Sequence, residues 1–325
     1  APVMLAAFTL RLDPFAPEYD PAVQVGEAEA PAGTVDTTVE ASVWKPVRPA
    51  AAPAPSRVFF VDGVRRVEHR LVVDSGDSSC FGLLGSFGVG ATLLQGRRAR
   101  VAAEAVERVL VVGSGERLPA LEVAVPRSRA RLLFQPRVVA DKTPNGPLDG
   151  LQRAMRESEA RLGQELGRGG DLVFLDGPLS LPASTAGSVV GFVKRLVQTY
   201  LTPTDGALLP VLRPGERTPL FLIQDRVPRY SWYLRLARGR AIESALAGIV
   251  RLETSGELPV DEVRGLADHS AALLPRLASD PAHDPRAPAN LYPIGGLEQR
   301  LRRLLGDPLL IRRSVEAHLH AQVAR

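Results

Sequence analysis

The chain has few residues that serve disulfide or soft-metal chemistry. Its 325 residues contain a single cysteine, Cys80, which excludes an internal disulfide and a zinc site built from cysteines. The small and apolar neighbours of Cys80 predict a buried structural thiol, and the scarcity of cysteine is typical of a reducing, cytoplasmic compartment. Lysine is also scarce, with three residues among 40 basic ones. Lys194 is distinctive because it lies in an apolar run.

Several widespread sequence signatures are absent as well. No run approaches about 18 consecutive apolar residues, and the N-terminus shows no signal-peptide pattern, so we expect a protein that is soluble and not exported. No glycine-rich loop ends in Lys-Ser or Lys-Thr, so an ATPase motor would have to be a separate chain. No Gly-x-Ser-x-Gly segment supports a serine hydrolase of the nucleophile-elbow type.

The composition is that of a globular protein with a modest positive charge. Hydrophobic residues make up 45% of the chain, which is enough for a sizeable core and excludes global disorder. The net charge is +4 and the sequence pI is about 9.6. This balance permits a polyanionic partner such as a nucleic acid without requiring one.

The pattern along the chain predicts three regions. Residues 1–56 form an N-terminal arm, in which 8–12 resemble a strand and the Pro- and Ala-rich segment 46–56 resembles an extended linker. The arm could dock to a partner, or it could be a poorly ordered terminus. Residues 57–310 form the main domain, and 311–325 form a C-terminal helix or tail.

The main domain shows strands, then a helix, then a buried strand. The predicted strands are 58–61, 68–74, 81–95, 108–112, 171–175, 220–224 and 230–236, and the predicted helices are 147–167, 259–277 and 297–305. The segment 187–201 fits either a strand or a helix. This order predicts an α/β fold with a mixed central sheet flanked by helices.

Two of the buried strands are each followed by Asp-Gly, at Asp62-Gly63 and Asp176-Gly177. A carboxylate at the tip of a central strand is costly unless it is paired or binds a metal. Two such carboxylates brought together could hold the divalent cations that cleave phosphodiesters. The alternative is that each Asp-Gly only makes the turn that ends its strand.

Several motifs in order resemble the NurA nuclease family. They are Val-Phe-Phe-Val-Asp-Gly-Val-Arg-Arg at 58–66, Asp-Leu-Val-Phe-Leu-Asp-Gly-Pro-Leu at 171–179, Val-Gly-Phe-Val-Lys-Arg at 190–195, Ser-Trp-Tyr-Leu-Arg-Leu at 231–236 and Leu-Tyr-Pro at 291–293. Each motif is weak alone, and the ordered set spans about residues 58 to 305.

The resemblance implies an RNase H-like core and a manganese- or magnesium-dependent DNA nuclease. It also implies a homodimer that works with a HerA-type hexameric ATPase in DNA end resection, double-strand break repair and homologous recombination. The implied activities are 5′ to 3′ exonuclease and single-strand endonuclease, carried out in the cytoplasm and at the nucleoid when bound to DNA.

The catalytic set that follows from the resemblance has Asp62 and Asp176 as the main metal ligands. A third acidic ligand is expected on the helix before Asp176, and Glu159 is preferred because it borders the apolar face of that helix. Glu157, which points away from that face, is the second choice. Lys194 would place a positive charge near a phosphate or near Asp176.

The C-terminal part departs from the family pattern. The family has a histidine after its Tyr-Pro segment, but no histidine follows Tyr292-Pro293 before Arg300. Glu298 could take that place as a metal ligand, or His283 could reach in from the preceding loop. Tyr292 and Glu298 are therefore included as supporting site residues.

Arginines interleaved with aromatic residues suggest a surface for single-stranded DNA. The expected DNA contacts are Arg65, Arg97, Arg98, Arg229, Trp232 and Arg235. The alternative for the stretch from Arg229 to Arg235 is an amphipathic strand with its aromatic residues in the core and its arginines in solvent.

Two other functions compete with a nuclease. The missing histidine motivates a catalytically weak module that binds DNA or the ATPase as a scaffold. A phosphotransferase of the actin-like branch would need paired glycine-rich phosphate loops, which the sequence does not supply.

Overall fold

A computed structural model gives the fold. It describes residues 3–5, 8–12, 33–49, 55–75, 78–113, 115, 118–179, 188–194, 196, 200–225, 227–240, 243–280, 282–284 and 286–323. The strands in these residues are β1 Val3–Leu5, β2 Phe8–Leu12, β3 Thr34–Asp36, β4 Val58–Ser75, β5 Ser78–Gln95, β6 Arg98–Val112, β7 Leu121–Ala124, β8 Arg131–Val138, β9 Leu172–Asp176, β10 Val189–Val193, β11 Phe221–Gln224, β12 Arg229–Arg235 and β13 Ile249–Ser255. The α-helices are α1 Gly146–Gly167, α2 Pro203–Gly206, α3 Val260–Leu273, α4 Tyr292–Leu304 and α5 Pro308–Val323.

One mixed sheet runs through the molecule in the order β3-β11-β12-β13-β10-β9-β4-β5-β6-β8-β7. β4, β5 and β6 form an antiparallel meander, and β9 pairs in parallel with both β4 and β10. The hairpin β1–β2 attaches to the C-terminal half of β4 through antiparallel pairing with β2. The predicted mixed sheet flanked by helices is thereby confirmed.

The central strands bury apolar side chains on both faces. On one face, Phe59 and Val173 pack under α1 with Leu151 and Met155. On the other face, α3 and α4 cover a second cluster, in which the rings of Phe60 and Phe174 stack with centroids 5.4 Å apart. The alternation of side chains along β4 thus joins two hydrophobic layers through a single strand.

The long meander carries a third core beyond the region of α1. The C-terminal half of β4 contributes Leu71 and Val73, which pack with Phe134 of β8. α5 covers the same cluster with Ile311 and Val315. The domain boundaries at residues 56 and 310 remain predictions. The helix α5, which contains most of the predicted C-terminal tail, packs in the same core as the sheet of the main domain.

A buried ion network joins the described part of the N-terminal arm to the body. The guanidinium of Arg217 is fully buried and donates hydrogen bonds of 2.8 and 2.7 Å to the two carboxylate oxygens of Glu40. It also donates to Asp268 of α3 at 2.8 Å. Residues 50–54, within the predicted linker, lie outside the described residues.

The prediction that the first strand ends at Asp62-Gly63 is wrong. β4 continues through these residues to Ser75 because β5 pairs with it along its whole length, with one irregularity between Val67 and His69. The turn after the second Asp-Gly does form, with Gly177 at φ +111°. The two dipeptides therefore have different backbone roles.

Most other predicted elements agree with the structure. The predicted helices at 147–167 and 259–277 are α1 and α3, the latter extended by a 3-10 turn at Leu274–Arg276. The ambiguous segment 187–201 contains the strand β10, and its residues 187, 195 and 197–199 lie outside the described ones. The sequence patterns missed several strands, among them β3, β7, β8 and β13.

Among the described residues, no helix combines the length and the apolar character that crossing a membrane requires.

Candidate active site

Parallel pairing of β4 with β9 brings Asp62 and Asp176 together. Val61 is the register partner of Leu175, so the two aspartates follow neighbouring positions on adjacent strands. One carboxylate oxygen of each lies within 4.8 Å of the other. The expected proximity of the two carboxylates is present, although only Asp176 ends its strand and Asp62 lies within β4.

Glu298 is the third member of the same group. It lies on α4, and one of its oxygens is within 4.8 Å of the Asp62 and Asp176 oxygens. Among the described residues, this is the only group of three acidic, histidine or cysteine side chains with metal-ligand spacing. Glu298 is thus the residue of α4 that faces the two aspartates.

Glu159 is buried beside the group but is not part of it. Its side chain packs against Gly63 of β4, and only 7% of the residue is exposed. Burial, reinforced by the charge of Asp176, raises the pKa of Glu159 to about 8, although the neighbouring Arg156 lowers it. The protonated form of this carboxyl is therefore favoured at neutral pH.

The environment of Asp62 fits a bound cation. Burial and the charges of Asp176 and Glu159 raise its pKa well above the ordinary range, which Lys194 partly offsets. Its Oδ1 accepts a hydrogen bond of 2.7 Å from the backbone N–H of Gly63, but its buried Oδ2 has no hydrogen-bond partner. A buried carboxylate oxygen without a donor is costly, and a divalent cation would satisfy it.

A chain of polar contacts runs from Asp176 to Glu298 around the site. The ammonium of Lys194 donates to Asp176 Oδ2 at 2.6 Å and to Asn290 Oδ1 at 2.8 Å. Asn290 donates in turn to Asp284 at 2.5 Å. Asp284 accepts from the backbone N–H of Arg286 at 2.8 Å, and the guanidinium of Arg286 binds both oxygens of Glu298 at 2.6 and 2.7 Å. The predicted contact between Lys194 and Asp176 is present.

The other predicted site residues of this region are placed differently. Tyr292 begins α4 with 52% of its surface exposed. His283 is exposed and lies outside the acidic group. Glu157 forms an ion pair with Arg137 at 3.7 Å and lies outside the acidic group.

The prediction that Trp232 and Arg235 contact DNA is wrong. Trp232 is fully buried in the hydrophobic core and donates from its indole N–H to Ser270 at 3.1 Å. The guanidinium of Arg235 is buried and donates to backbone carbonyls, including that of Ala247 at 2.8 Å. Packing explains this stretch: Trp232 and Tyr233 lie in the core, as in the alternative interpretation, but Arg235 is buried instead of lying in solvent.

The remaining predicted DNA contacts differ in accessibility. Arg97 lies in the turn between β5 and β6 and Arg98 begins β6, and both are exposed. Arg65 is half-buried and donates to Gln152 of α1. Arg229 is half-buried between Glu253 at 3.4 Å and the ring of Tyr200. Arg97 and Arg98 are therefore the most accessible of the predicted set.

Sequence patterns missed four residues around the site: Arg156, Arg286, Asn290 and Arg302. Arg302 lies four residues after Glu298 on α4 and lowers its pKa, which the helical spacing could have indicated. Helical spacing could also have indicated Arg156, which lies three residues before Glu159 on α1 and lowers its pKa. Arg286 and Asn290 lie in a loop without a periodic pattern, so no local signal points to them.

Comparison with known proteins places the chain in a family. None of the curated proteins matches the chain. The crystal structure of the NurA nuclease from Sulfolobus solfataricus is similar with a TM-score of 0.49, at 12% identity, covering 86% of this chain and 88% of that chain. The family model of the NurA domain matches residues 57–294, which include Asp62, Asp176 and Asn290. Because the match covers most of the sequence, the chain belongs to the NurA family.

Proposed function

We propose that the protein is a metal-dependent nuclease that hydrolyses phosphodiester bonds of DNA. The observation that carries the proposal is the acidic group of Asp62, Asp176 and Glu298, whose oxygens lie within 4.8 Å of one another next to an unsatisfied oxygen of Asp62. Membership of the NurA family supports a nuclease.

In this proposal, Asp62, Asp176 and Glu298 hold Mn²⁺ or Mg²⁺ through hard oxygen ligands. Bound cations of this type activate a water molecule and stabilise the leaving oxygen of a phosphodiester. Glu159 lies close enough to raise the pKa of Asp62, and positive charge in the site would favour the ionised form of Glu159. Lys194 orients Asp176 and keeps a positive charge beside it.

The fold of the proposed nuclease is RNase H-like. The strand order β10-β9-β4-β5-β6 supports this assignment, since an antiparallel meander is followed by a helix and then by two parallel strands. In this arrangement Asp62 and Asp176 lie on the first and fourth strands of the motif, and Glu298 lies on α4.

We further propose that exposed arginines hold the DNA. Arg302 is exposed beside Glu298, and Arg97 and Arg98 are exposed at the β5–β6 turn, beyond the paired residues Val58 and Leu94. These cations can bind backbone phosphates without regard to sequence. Arg65 and Arg229 remain candidates that would first have to release their present partners.

The finer functional assignments follow from the family resemblance. They are 5′ to 3′ exonuclease and single-strand endonuclease activity, a role in end resection and recombinational repair, assembly as a homodimer, and action with a HerA-type hexameric ATPase. Each is proposed for this chain as a consequence of the nuclease assignment.

Cleavage of labelled DNA tests the proposal. Purified protein is incubated with end-labelled single- and double-stranded DNA in Mn²⁺, Mg²⁺ or EDTA, beside Asp62→Ala and Asp176→Ala. We expect cleavage only with metal and its loss in both variants. Intact DNA in every condition, including with a HerA-type ATPase present, would replace the nuclease with the scaffold function.

A further inference from the structure

The loop between α3 and α4 supplies a cation to the acidic group. Arg286 of this loop binds Glu298 through two parallel N–H···O contacts of 2.6 and 2.7 Å. Such bidentate pairs fix the plane of a carboxylate as well as its position. The side chain of Glu298 is only 13% exposed, whereas that of Arg286 is 47% exposed.

The bidentate contact leaves room for a metal ion. A carboxylate offers about four lone-pair sites on its two oxygens, and the two N–H groups of Arg286 occupy one site on each. One site on each oxygen remains, and one oxygen lies within 4.8 Å of Asp62 and Asp176. The pair with Arg286 is therefore compatible with coordination of a cation through a single oxygen of Glu298.

Arg286 is itself held in place by buried neighbours. Its backbone N–H donates to Asp284, whose other oxygen accepts from the side chain of Asn290 at 2.5 Å. Asn290 is fully buried and also accepts from Lys194, which contacts Asp176. Partners of metal ligands that are connected in this way restrict the ligands more than an isolated surface ion pair does.

We propose that Arg286 is a positioning residue of the metal site, which holds Glu298 in the orientation that ligates the cation. The proposal rests on the proposed metal-dependent function. Through Asp284 and Asn290, the same loop fixes the ammonium that orients Asp176. The loop thus sets two of the three ligands, while Asp62 is set by the sheet.

Manganese affinity without substrate tests this role. The full-length protein is titrated with Mn²⁺, and free Mn²⁺ is followed by electron paramagnetic resonance for wild type, Arg286→Ala and Arg286→Lys. Loss of a partner of a metal ligand typically weakens binding about 10- to 100-fold, and we expect this range for Arg286→Ala. The Mn²⁺ affinity of Arg286→Lys should lie between those of wild type and Arg286→Ala, because an ammonium keeps the positive charge but cannot make the bidentate contact.

The chain provides a matched control. Arg300 lies on α4, as Glu298 does, and makes a two-contact pair with Glu104. Its side chain is 52% exposed, similar to that of Arg286, but neither Arg300 nor Glu104 belongs to the acidic group. Arg300→Ala should leave Mn²⁺ affinity unchanged. In a Glu298→Gln background, Arg286→Ala should have no further effect, which a general loss of stability would not reproduce.

The outcomes separate this inference from the function on which it rests. Equal affinities of Arg286→Ala and Arg300→Ala would overturn the positioning role while leaving the metal site intact. Tighter binding by Arg286→Ala would also overturn it, because Arg286 would then compete with the cation. Absence of Mn²⁺ binding by the wild type would overturn the metal site itself.

Discussion

At the scale of single residues, the site concentrates negative charge where water is scarce. Asp62 and Glu159 are both buried, and each has a raised pKa because burial and the charge of Asp176 disfavour its ionised form. Glu298 has a lowered pKa, because Arg286 and other cations offset its burial. Cation binding at the proposed metal site would therefore displace protons and depend on pH.

Manganese affinity should rise with pH up to about pH 8. Glu159 has a pKa of about 8, and the pKa of Asp62 is also raised. Below about pH 8, a bound cation must therefore displace protons from these carboxyls. We expect apparent affinity to increase about tenfold per pH unit for each proton released. Calorimetric titrations at pH 6, 7 and 8 measure this slope, and a flat profile would contradict the coupled carboxylates.

Replacing Glu159 by glutamine should change how stability depends on pH in EDTA. A carboxyl with a raised pKa stabilises the folded state below its unfolded pKa, and this contribution is lost as pH rises through about 8. Glu159→Gln removes the ionisation, so we expect it to gain stability over wild type from pH 5 to pH 9. Urea unfolding at several pH values checks this, with Glu157→Gln on the exposed side of α1 as the control.

Local patterns were informative for some of these residues and silent for others. Asp62 and Asp176 could be singled out because a charge beside a buried apolar run is unusual. Arg286 and Asn290 could not, because their position depends on a loop that packs against residues far away in the sequence. Trp232 and Arg235 were misassigned because alternation on a buried strand resembles an exposed stacking surface.

At the scale of elements, β4 joins the site to the long meander. The sequence predicted a break at Asp62-Gly63, but the strand continues, because pairing with β5 runs through both residues and outweighs the local turn preference, whereas pairing with β9 ends at Val61. Within the strand, the glycine instead makes room for a side chain of α1. A Cβ at position 63 would lie 2.4 Å from Glu159 Oε1 and 2.9 Å from Met155.

Gly63→Ala should therefore disturb both the helix packing and the site. Overpacking of a well-packed interior costs about 1–3 kcal/mol, and displacement of Glu159 should reduce metal-dependent cleavage by at least about tenfold. Gly88→Ala on β5 is the matched control, since its Cβ would meet nothing closer than 3.6 Å. Equal unfolding midpoints and activities of the two variants would rule out the close approach of α1 to β4.

At the scale of the whole molecule, segments remote in sequence complete the fold. The described residues 33–49 add β3 to the sheet edge and bring Glu40 to the buried Arg217. α5 closes the third core from the other end of the chain. Composition shifts predicted these segments as an arm and a tail, because the partners they pack against are not visible in local patterns.

Arg217→Ala should strongly destabilise the protein. Breaking a buried ion pair leaves an uncompensated charge and typically costs about 3–5 kcal/mol, here on Glu40 and Asp268. Arg264 pairs with the same Glu40 at 3.3 Å but is 41% exposed, so Arg264→Ala should cost at most about 1 kcal/mol. Chemical denaturation measures the free energy of unfolding of both variants. A similar loss of stability in Arg217→Ala and Arg264→Ala would contradict the anchoring role of Arg217.

The central claim is that Asp62, Asp176 and Glu298 hold a divalent cation. Anomalous diffraction at the manganese edge, from crystals of the full chain grown with Mn²⁺, locates the ion without reference to activity. We predict an anomalous peak about 2.0–2.6 Å from an oxygen of each of these three residues, and its loss in Asp176→Ala. Density at another site, or no peak in a well-ordered crystal, would contradict the account.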